Sequence, residues 1–329
     1  MFSRLSQVSR HLSRPRPNLA HLSATTLQRK NLTALTSPMA SAVTADERGS
    51  RKIHTAACLI IGDEVLGGKT KDTNSNFMAT WCFSLGINLK RIEVIEDDES
   101  EIIEAVRRMS DRYDFVVTSG GIGPTHDDIT YQSIAKAFGL PLVLHQEAFA
   151  LMKKLSTTAR GQPPFNFDEE SPALRAKLRM VELPTDTGRD LAKQALFPCK
   201  ELWVPVSAVN GNVHILPGVP RLFEKLLEGL KPFILPRLDN PEGNSTVRVT
   251  ISTPLSESAV AEYLTELAAR VGPKGVKVGS YPRWGNKRNT VTLVGKDKQF
   301  LESITPEVVH YVKGRLVTAE GEDDDVPEE

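Results

Sequence analysis

The chain has 329 residues, with 41 Lys+Arg against 41 Asp+Glu, 25% charged and 40% hydrophobic residues. Such a balance is ordinary for a soluble globular protein and lacks the basic footprint that nucleic-acid or membrane-surface binding needs. No apolar run of about 18 residues occurs, which excludes a helical membrane span, and three scattered cysteines (Cys58, Cys82, Cys199) exclude a disulfide scaffold or a cysteine-based zinc site and fit a reducing compartment.

The charges are unevenly placed. Residues 1–38 carry six basic side chains and no acid, and the first carboxylate is Asp46. Residues 1–45, rich in Arg, Ser, Leu and Thr, read as a mitochondrial transit peptide or a disordered basic tail. Met39 offers a second start, which would give a cytosolic form. The last eleven residues, 319–329, hold seven acids and read as a solvated, disordered tail.

Between these ends strands and helices alternate. Ile53–Ile61 is a buried strand ending in Gly62, and Asp72 or Thr73 caps a helix that runs to Leu85 and stops at Gly86. Ile87–Ile95 is a strand, Glu99–Met109 a helix, and Phe115–Val117 a buried strand leading into Gly120-Gly121. Asp128–Phe138 is the next helix, closed by Gly139. This order predicts an α/β fold with a mainly parallel sheet covered on both faces, and ligands bind such sheets at the carboxyl ends of strands. From about Ser156 to Gln194 the pattern weakens, with Gly161, Pro163, Pro164, Pro172, Pro184 and Gly188 marking an excursion or lid. Order returns at Leu202–Val209. Asn210-Gly211 signals a type I′ turn, so Val213–Leu216 pairs back as a hairpin, and Pro217-Gly218-Val219-Pro220 leads into the helix Arg221–Leu230. Near Asn244 a second unit begins: strand Thr246–Ser252, helix Glu257–Val271, strands Val276–Ser280 and Thr290–Val294, helix Phe300–Lys313. That order suits a small α+β domain.

The segment with the most chemistry is Thr118-Ser119-Gly120-Gly121-Ile122-Gly123-Pro124-Thr125-His126-Asp127-Asp128. Its glycines let backbone N–H groups approach a phosphate, the hydroxyls of Thr118, Ser119 and Thr125 add donors, and a helix N-terminus follows. Two adjacent carboxylates there would repel a bare phosphate. One reading is helix capping, which accounts for one of them; the other is a divalent cation, Mg or a transition metal, held between Asp127, Asp128 and phosphate oxygens. The spacing matches neither a Walker A motif nor a dinucleotide GxGxxG. Gly62-Asp63-Glu64 and Asp97-Asp98 end the two preceding strands on the same sheet edge, with one of Asp97 and Asp98 expected to cap the next helix. A carboxylate cluster beside a phosphate cradle suits metal-assisted phosphoryl or nucleotidyl chemistry. His126 reads as a solvated neighbour, the cysteines as core, and Tyr281 with Trp284 as a ring-stacking pair or an inter-domain contact.

Thr118–Thr130 (TSGGIGPTHDDIT), Gly62–Asn74 (GDEVLGGKTKDTN) and Leu216–Pro220 (LPGVP) resemble the MoaB/Mog molybdopterin-binding domain superfamily. The match is closer to the CinA N-terminal domain and the N-terminal domain of eukaryotic FAD synthase, which the doubled Asp127-Asp128 favours. The Gly279–Gly285 stretch looks like the region that follows the core in FAD synthase. The resemblance spans roughly residues 53–318 and implies a three-layer α/β core over 53–238, then the small domain over 244–318. It implies phosphate or substrate contacts from Gly62, Asp63, Glu64, Asn74, Thr118, Ser119, Gly120, Gly121, Gly123 and Thr125, with Pro217 and Gly218 closing the site. Functional aspartates match Asp97 and Asp128, and Asp97, Asp127 and Asp128 are the expected cation ligands. Nothing after the small domain matches the FAD-synthesising domain, which argues against FAD synthesis. The reading is therefore a metal-dependent dinucleotide pyrophosphatase acting on FAD or ADP-ribose. The alternatives are a molybdopterin-binding or adenylyltransferase-type protein, or a non-catalytic relative. Its expected partners are a nucleotide or pterin ligand and copies of itself in a homo-oligomer, with no nucleic acid and no membrane.

Overall fold

The computed structural model describes residues 43–156, 165–241 and 246–322. The segment read as the import signal and the alternative start at Met39 lie outside the described residues, as do Gly161, Pro163, Pro164, Asn244 and the tail from Asp323 onward. Among the described residues no helix is long and apolar enough to cross a membrane.

Chain order begins with α1 (Ala45–Ser50) and β1 (Thr55–Ile61), followed by α2 (Asp63–Leu66), α3 (Asn74–Ser84), β2 (Asn88–Ile95), α4 (Glu99–Arg112), β3 (Phe115–Ser119) and α5 (Thr130–Phe138). Next come β4 (Leu142–Leu144), α6 (Gln146–Leu155), α7 (Pro172–Leu178), β5 (Glu182–Pro184) and β6 (Ala195–Leu196), of which α7 and β5 fall within the excursion. Then come β7 (Val206–Val209), β8 (Val213–Leu216), α8 (Pro220–Gly229) and α9 (Lys231–Ile234). The small domain holds β9 (Val247–Thr253), α10 (Glu257–Val271), β10 (Lys277–Tyr281), β11 (Asn289–Gly295), α11 (Lys298–Tyr311) and β12 (Arg315–Val317).

The main sheet has the order β2-β1-β3-β8-β7-β6. β2, β1, β3 and β8 are parallel, while β7 and β6 run antiparallel. After Thr55 its β1 run is apolar and buried from Ala56 to Ile61 because both faces are covered. Ala56, Cys58 and Ile60 join α3 and α8 residues in one core, and Ala57, Leu59 and Ile61 join α4 and α5 residues in the other. The expected three layers are thus present. Asn210 and Gly211, at φ 50° and 76°, lie in the β7–β8 hairpin, whose Val209–Val213 pairing leaves a three-residue loop where the sequence predicted a two-residue type I′ turn. The small domain is a four-stranded antiparallel sheet, β10-β11-β9-β12, packed on α10 and α11.

Three sequence expectations need correction. The leader reading extended to residue 45, yet Thr44 opens a capping box for α1, and Arg48 of α1 bonds the Ser110 carbonyl at 3.0 Å and Asp111 at 3.1 Å. Helix α5 begins at Thr130 rather than Asp128, with no side-chain cap. The irregular excursion contains α7, capped by Ser171, and β5, which pairs antiparallel with β4 ahead of it.

His214 lies buried in β8 against the Phe115 ring, centroids 4.6 Å apart. Burial, helped by the charge of Arg237, pushes its imidazole down from 6.5 to about 4. The unfolded chain takes up a proton below about 6.5 and the folded chain only below about 4, so this residue's stabilisation is complete above pH 6.5 and is lost as pH falls toward 4. The loss is about 3 kcal/mol. Urea unfolding of wild type and His214→Gln at pH 7 and 4.5 should show a weaker acid dependence in the variant; identical dependence would remove His214 as the cause.

Candidate functional site

The connection from β1 to β2 moves one way along the sheet, and that from β2 to β3 returns past β1. This reversal opens a crevice at the carboxyl ends of β1 and β3, the usual ligand position in such sheets. Gly62-Asp63-Glu64 leaves β1 there, Asp97 follows β2, and Gly120–Asp128 follows β3.

Gly120 has φ +113°, and a Cβ on it would lie 2.0 Å from the Ile61 carbonyl oxygen, so the ends of β1 and β3 meet backbone to backbone. Gly121 has φ +63°, and its missing Cβ faces the Thr130 hydroxyl at 2.3 Å. The glycine requirement at 121 therefore comes from packing toward α5 rather than from a phosphate position. The Gly120 amide bonds Leu216 O at 3.2 Å. Among the described residues the amides of Gly121 and Ile122 have no internal acceptor, which leaves two consecutive N–H groups to receive an anion.

The carboxylates divide by task. Asp98 caps α4, accepting from the amides of Ser100 and Glu101 at 2.8 and 3.1 Å, and the Ser100 hydroxyl first, then these amides, hold its pKa low. Asp97 faces the crevice instead. It accepts from the Asp63 amide at 3.0 Å, and Asp63 accepts from the Asp97 amide at 3.3 Å. Burial raises the Asp97 pKa, with the charges of Asp63, Glu64 and Asp127 adding to the rise. That mutual repulsion is what a bound cation would relieve.

Asp127 accepts from the Thr125 hydroxyl at 2.6 Å, which lowers its pKa. His126 is almost fully solvent-exposed beside it. Asp128 caps no helix. Its two oxygens accept from the amides of Gly123 at 2.6 Å and Thr125 at 2.8 Å, and it shares the single Thr125 hydroxyl proton with Asp127, at 2.5 Å. It therefore braces the loop from inside, and its Oδ1, which accepts one bond, keeps a lone pair for a cation. Asp128→Asn would place an NH2 against one of the two amides. We expect a loss of about 1–3 kcal/mol and faster hydrogen exchange at Gly123 and Thr125; unchanged protection there would remove Asp128 as the brace.

Several expected ligands turn inward. Thr118 and Ser119 are buried. The Ser119 hydroxyl accepts from Asn74 Nδ2 at 2.9 Å and donates to Pro217 O at 3.4 Å. Asn74 Nδ2 also bonds Gly218 O at 2.9 Å, so α3, β3 and the Pro217-Gly218 loop are tied by one side chain. Asn74 Oδ1 is buried with no partner among the described residues. Gly218 packs on Gly120, where a Cβ would lie 3.2 Å from its Cα. The Pro217-Gly218 turn thus underpins the glycine loop. Asp72 supplies the α3 cap, accepting from the Ser75 amide at 3.0 Å. Cys58 and Cys82 are buried thiols whose pKa burial raises, as core residues should be. Trp284 is fully solvent-exposed and packs against neither domain.

Arg179, which ends α7, was not a sequence candidate. Its guanidinium donates to Thr125 O at 2.7 Å and Asp128 O at 2.8 Å. The excursion thereby reaches the glycine loop and sets a fixed cation beside Asp127, whose pKa it helps to lower. Among the described residues no three His, Cys, Asp or Glu side chains converge to hold a metal ion by themselves. The crevice carboxylates offer oxygen donors, which suit a hard cation that completes its shell with water and ligand phosphate, and the exposed His126 imidazole stands 3.8 Å from Asp127. Asp97 and Asp127 fit that role.

Residues 57–239 match the family described as "Probable molybdopterin binding domain", and residues 245–320 match "FAD synthase, middle domain". A "Probable FAD synthase" of Caenorhabditis elegans is 33% identical over 274 residues, covering 80% of this chain and 51% of that protein. A "CinA-like protein" of Syntrophotalea carbinolica is 31% identical over 235 residues, covering 68% and 50%. The chain thus spans about half the length of these relatives. The crystal structure of the protein CinA from Thermoplasma acidophilum is 32% identical, covers 55% of this chain and 98% of its own, and superposes with a TM-score of 0.45. With its first family match covering more than half of the sequence, the chain belongs to the MoaB/Mog-like molybdopterin-binding domain family, joined to an FAD synthase middle domain.

Proposed function

We propose that the α/β unit is a metal-dependent dinucleotide pyrophosphatase that hydrolyses FAD or ADP-ribose. The observation that carries this reading is one crevice holding two opposed functions. Free Gly121 and Ile122 amides form an anion cradle, and Asp97, with its raised pKa, faces it among three further carboxylates. A bare phosphate would be repelled by those carboxylates, whereas a phosphate carrying a cation satisfies both sides.

In this reading the loop amides hold the diphosphate and Arg179 keeps the loop in shape. Asp97 and Asp127 hold the cation, which when bound polarises a phosphoryl oxygen and lowers the pKa of water. Water adds across the P–O–P linkage, so FAD gives FMN and AMP. The relatives' name, FAD synthase, supports a flavin dinucleotide as ligand. The matched family description supports the alternative of pterin binding with adenylyl transfer. Incubation with FAD or ADP-ribose, and separately with ATP plus a pterin, tests the choice. AMP release from the dinucleotides supports hydrolysis; adenylylated pterin without it would favour the alternative, and neither product would leave a non-catalytic relative.

Arg179→Ala removes two charge-assisted bonds from the loop without touching the core. The KM for the dinucleotide should rise about tenfold, with a smaller change in kcat and a Tm within a few degrees of wild type. An unchanged KM would show that the excursion does not position the loop.

A further inference from the structure

A second cavity, of about 380 Å³, lies at the other end of the main sheet, beside α1 and the start of β8. Arg189, Lys193 and Arg237 reach into it, against the single carboxylate of Asp46, and its floor and wall include Leu196 and Phe233. Asp46 accepts from Arg189 at 2.9 Å, and Lys193 stands 3.8 Å away. Arg237 is largely enclosed, and its guanidinium donates to the carbonyls of Arg51 at 3.0 Å and Arg48 at 3.2 Å. Burial lowers its pKa, and the charge of Asp114 opposes that fall without a direct ion pair among the described residues.

We propose that this cavity binds a small phosphate monoester with an apolar or aromatic body, and that Asp46 of α1 occupies part of the phosphate position when the ligand is absent. Three cations line the cavity against one lining carboxylate, which favours an anionic ligand, and guanidinium forks suit phosphate oxygens. The volume is within the range of small-ligand pockets and much exceeds what a phosphate alone would fill. Phe233 is half exposed at the rim, free to cover a flat ring.

The same geometry has a purely structural reading, in which Asp46 and Arg189 merely fasten α1 to the body. The two readings differ in sign at Asp46. If the carboxylate competes with the ligand, Asp46→Asn should tighten binding of AMP, used as probe, by about three- to tenfold. If it is only a fastener, that variant should lose stability and gain no affinity. Lys193→Glu changes an exposed residue and should weaken AMP binding about tenfold or more. Isothermal titration of the full chain with AMP, adenosine and inorganic phosphate, for wild type and both variants, tests this. A parallel series in Arg179→Ala separates this cavity from the glycine loop, since AMP bound here should ignore that change. Tighter binding in Asp46→Asn, weaker binding in Lys193→Glu and a preference for AMP over adenosine and inorganic phosphate are expected. Equal affinity in all three proteins, loss in Arg179→Ala, or adenosine or phosphate binding as well as AMP would overturn the proposal.

Discussion

Replacing Gly120 by alanine is expected to unfold the α/β unit locally and lower its Tm by about 10 °C. The added Cβ would lie 2.0 Å from the Ile61 carbonyl oxygen, and both partners are backbone. Neither can move without opening the parallel register in which Ile60 faces Ser119. The positive φ adds about 1–3 kcal/mol of conformational cost, and the steric overlap adds to it. At roughly 2–4 °C per kcal/mol for a domain of this size, a total of about 3–4 kcal/mol gives the stated shift. Calorimetry of the purified variant measures it. A Tm within 2 °C of wild type would mean that the strand ends are farther apart than described.

Asp97→Asn should do the reverse, leaving stability intact while removing turnover. An Asn oxygen can still accept from the Asp63 amide, and the neutral side chain relieves repulsion from Asp63, Glu64 and Asp127. Tm should therefore stay level or rise slightly. A carboxamide is a poor ligand for a hard cation in a site with few others, so hydrolysis should fall on the order of 100-fold or more. Activity within about twofold of wild type would remove Asp97 from the cation site. Comparison with Asp128→Asn is informative, because that variant should lose loop order and stability together.

The sheet was legible from the chain because Ala56–Ile61 and Phe115–Val117 are apolar runs that lead into glycine, and because Asn210-Gly211 marks a tight hairpin connection. Element order pointed to the carboxyl ends of the strands; the strand order β2-β1-β3 places the switch point between β1 and β3. What the sequence could not assign was which of two neighbouring acids does what. Asp97 and Asp98 are chemically equal in the sequence; only the α4 backbone decides that Asp98 caps and Asp97 faces the crevice. Asp127 and Asp128 differ in the same way, since the tight turn at Gly123 brings the Asp128 oxygens onto loop amides. Ser119 looks like a phosphate donor in the motif, but strand alternation turns it inward onto Asn74. Arg179 carries no local signal, because its partners are backbone carbonyls about fifty residues away, joined through a three-residue strand pair too short to show periodicity.

The central claim is that the crevice between β1 and β3 hydrolyses a dinucleotide diphosphate with a cation held by Asp97. It is tested most directly by following AMP release from FAD by the purified full chain, with Mg²⁺ or Mn²⁺ and with EDTA, beside Asp97→Asn. The account predicts equal amounts of AMP and FMN from wild type with metal, and neither with EDTA or in the variant. Intact FAD under every condition, or release that persists in both EDTA and Asp97→Asn, would contradict it.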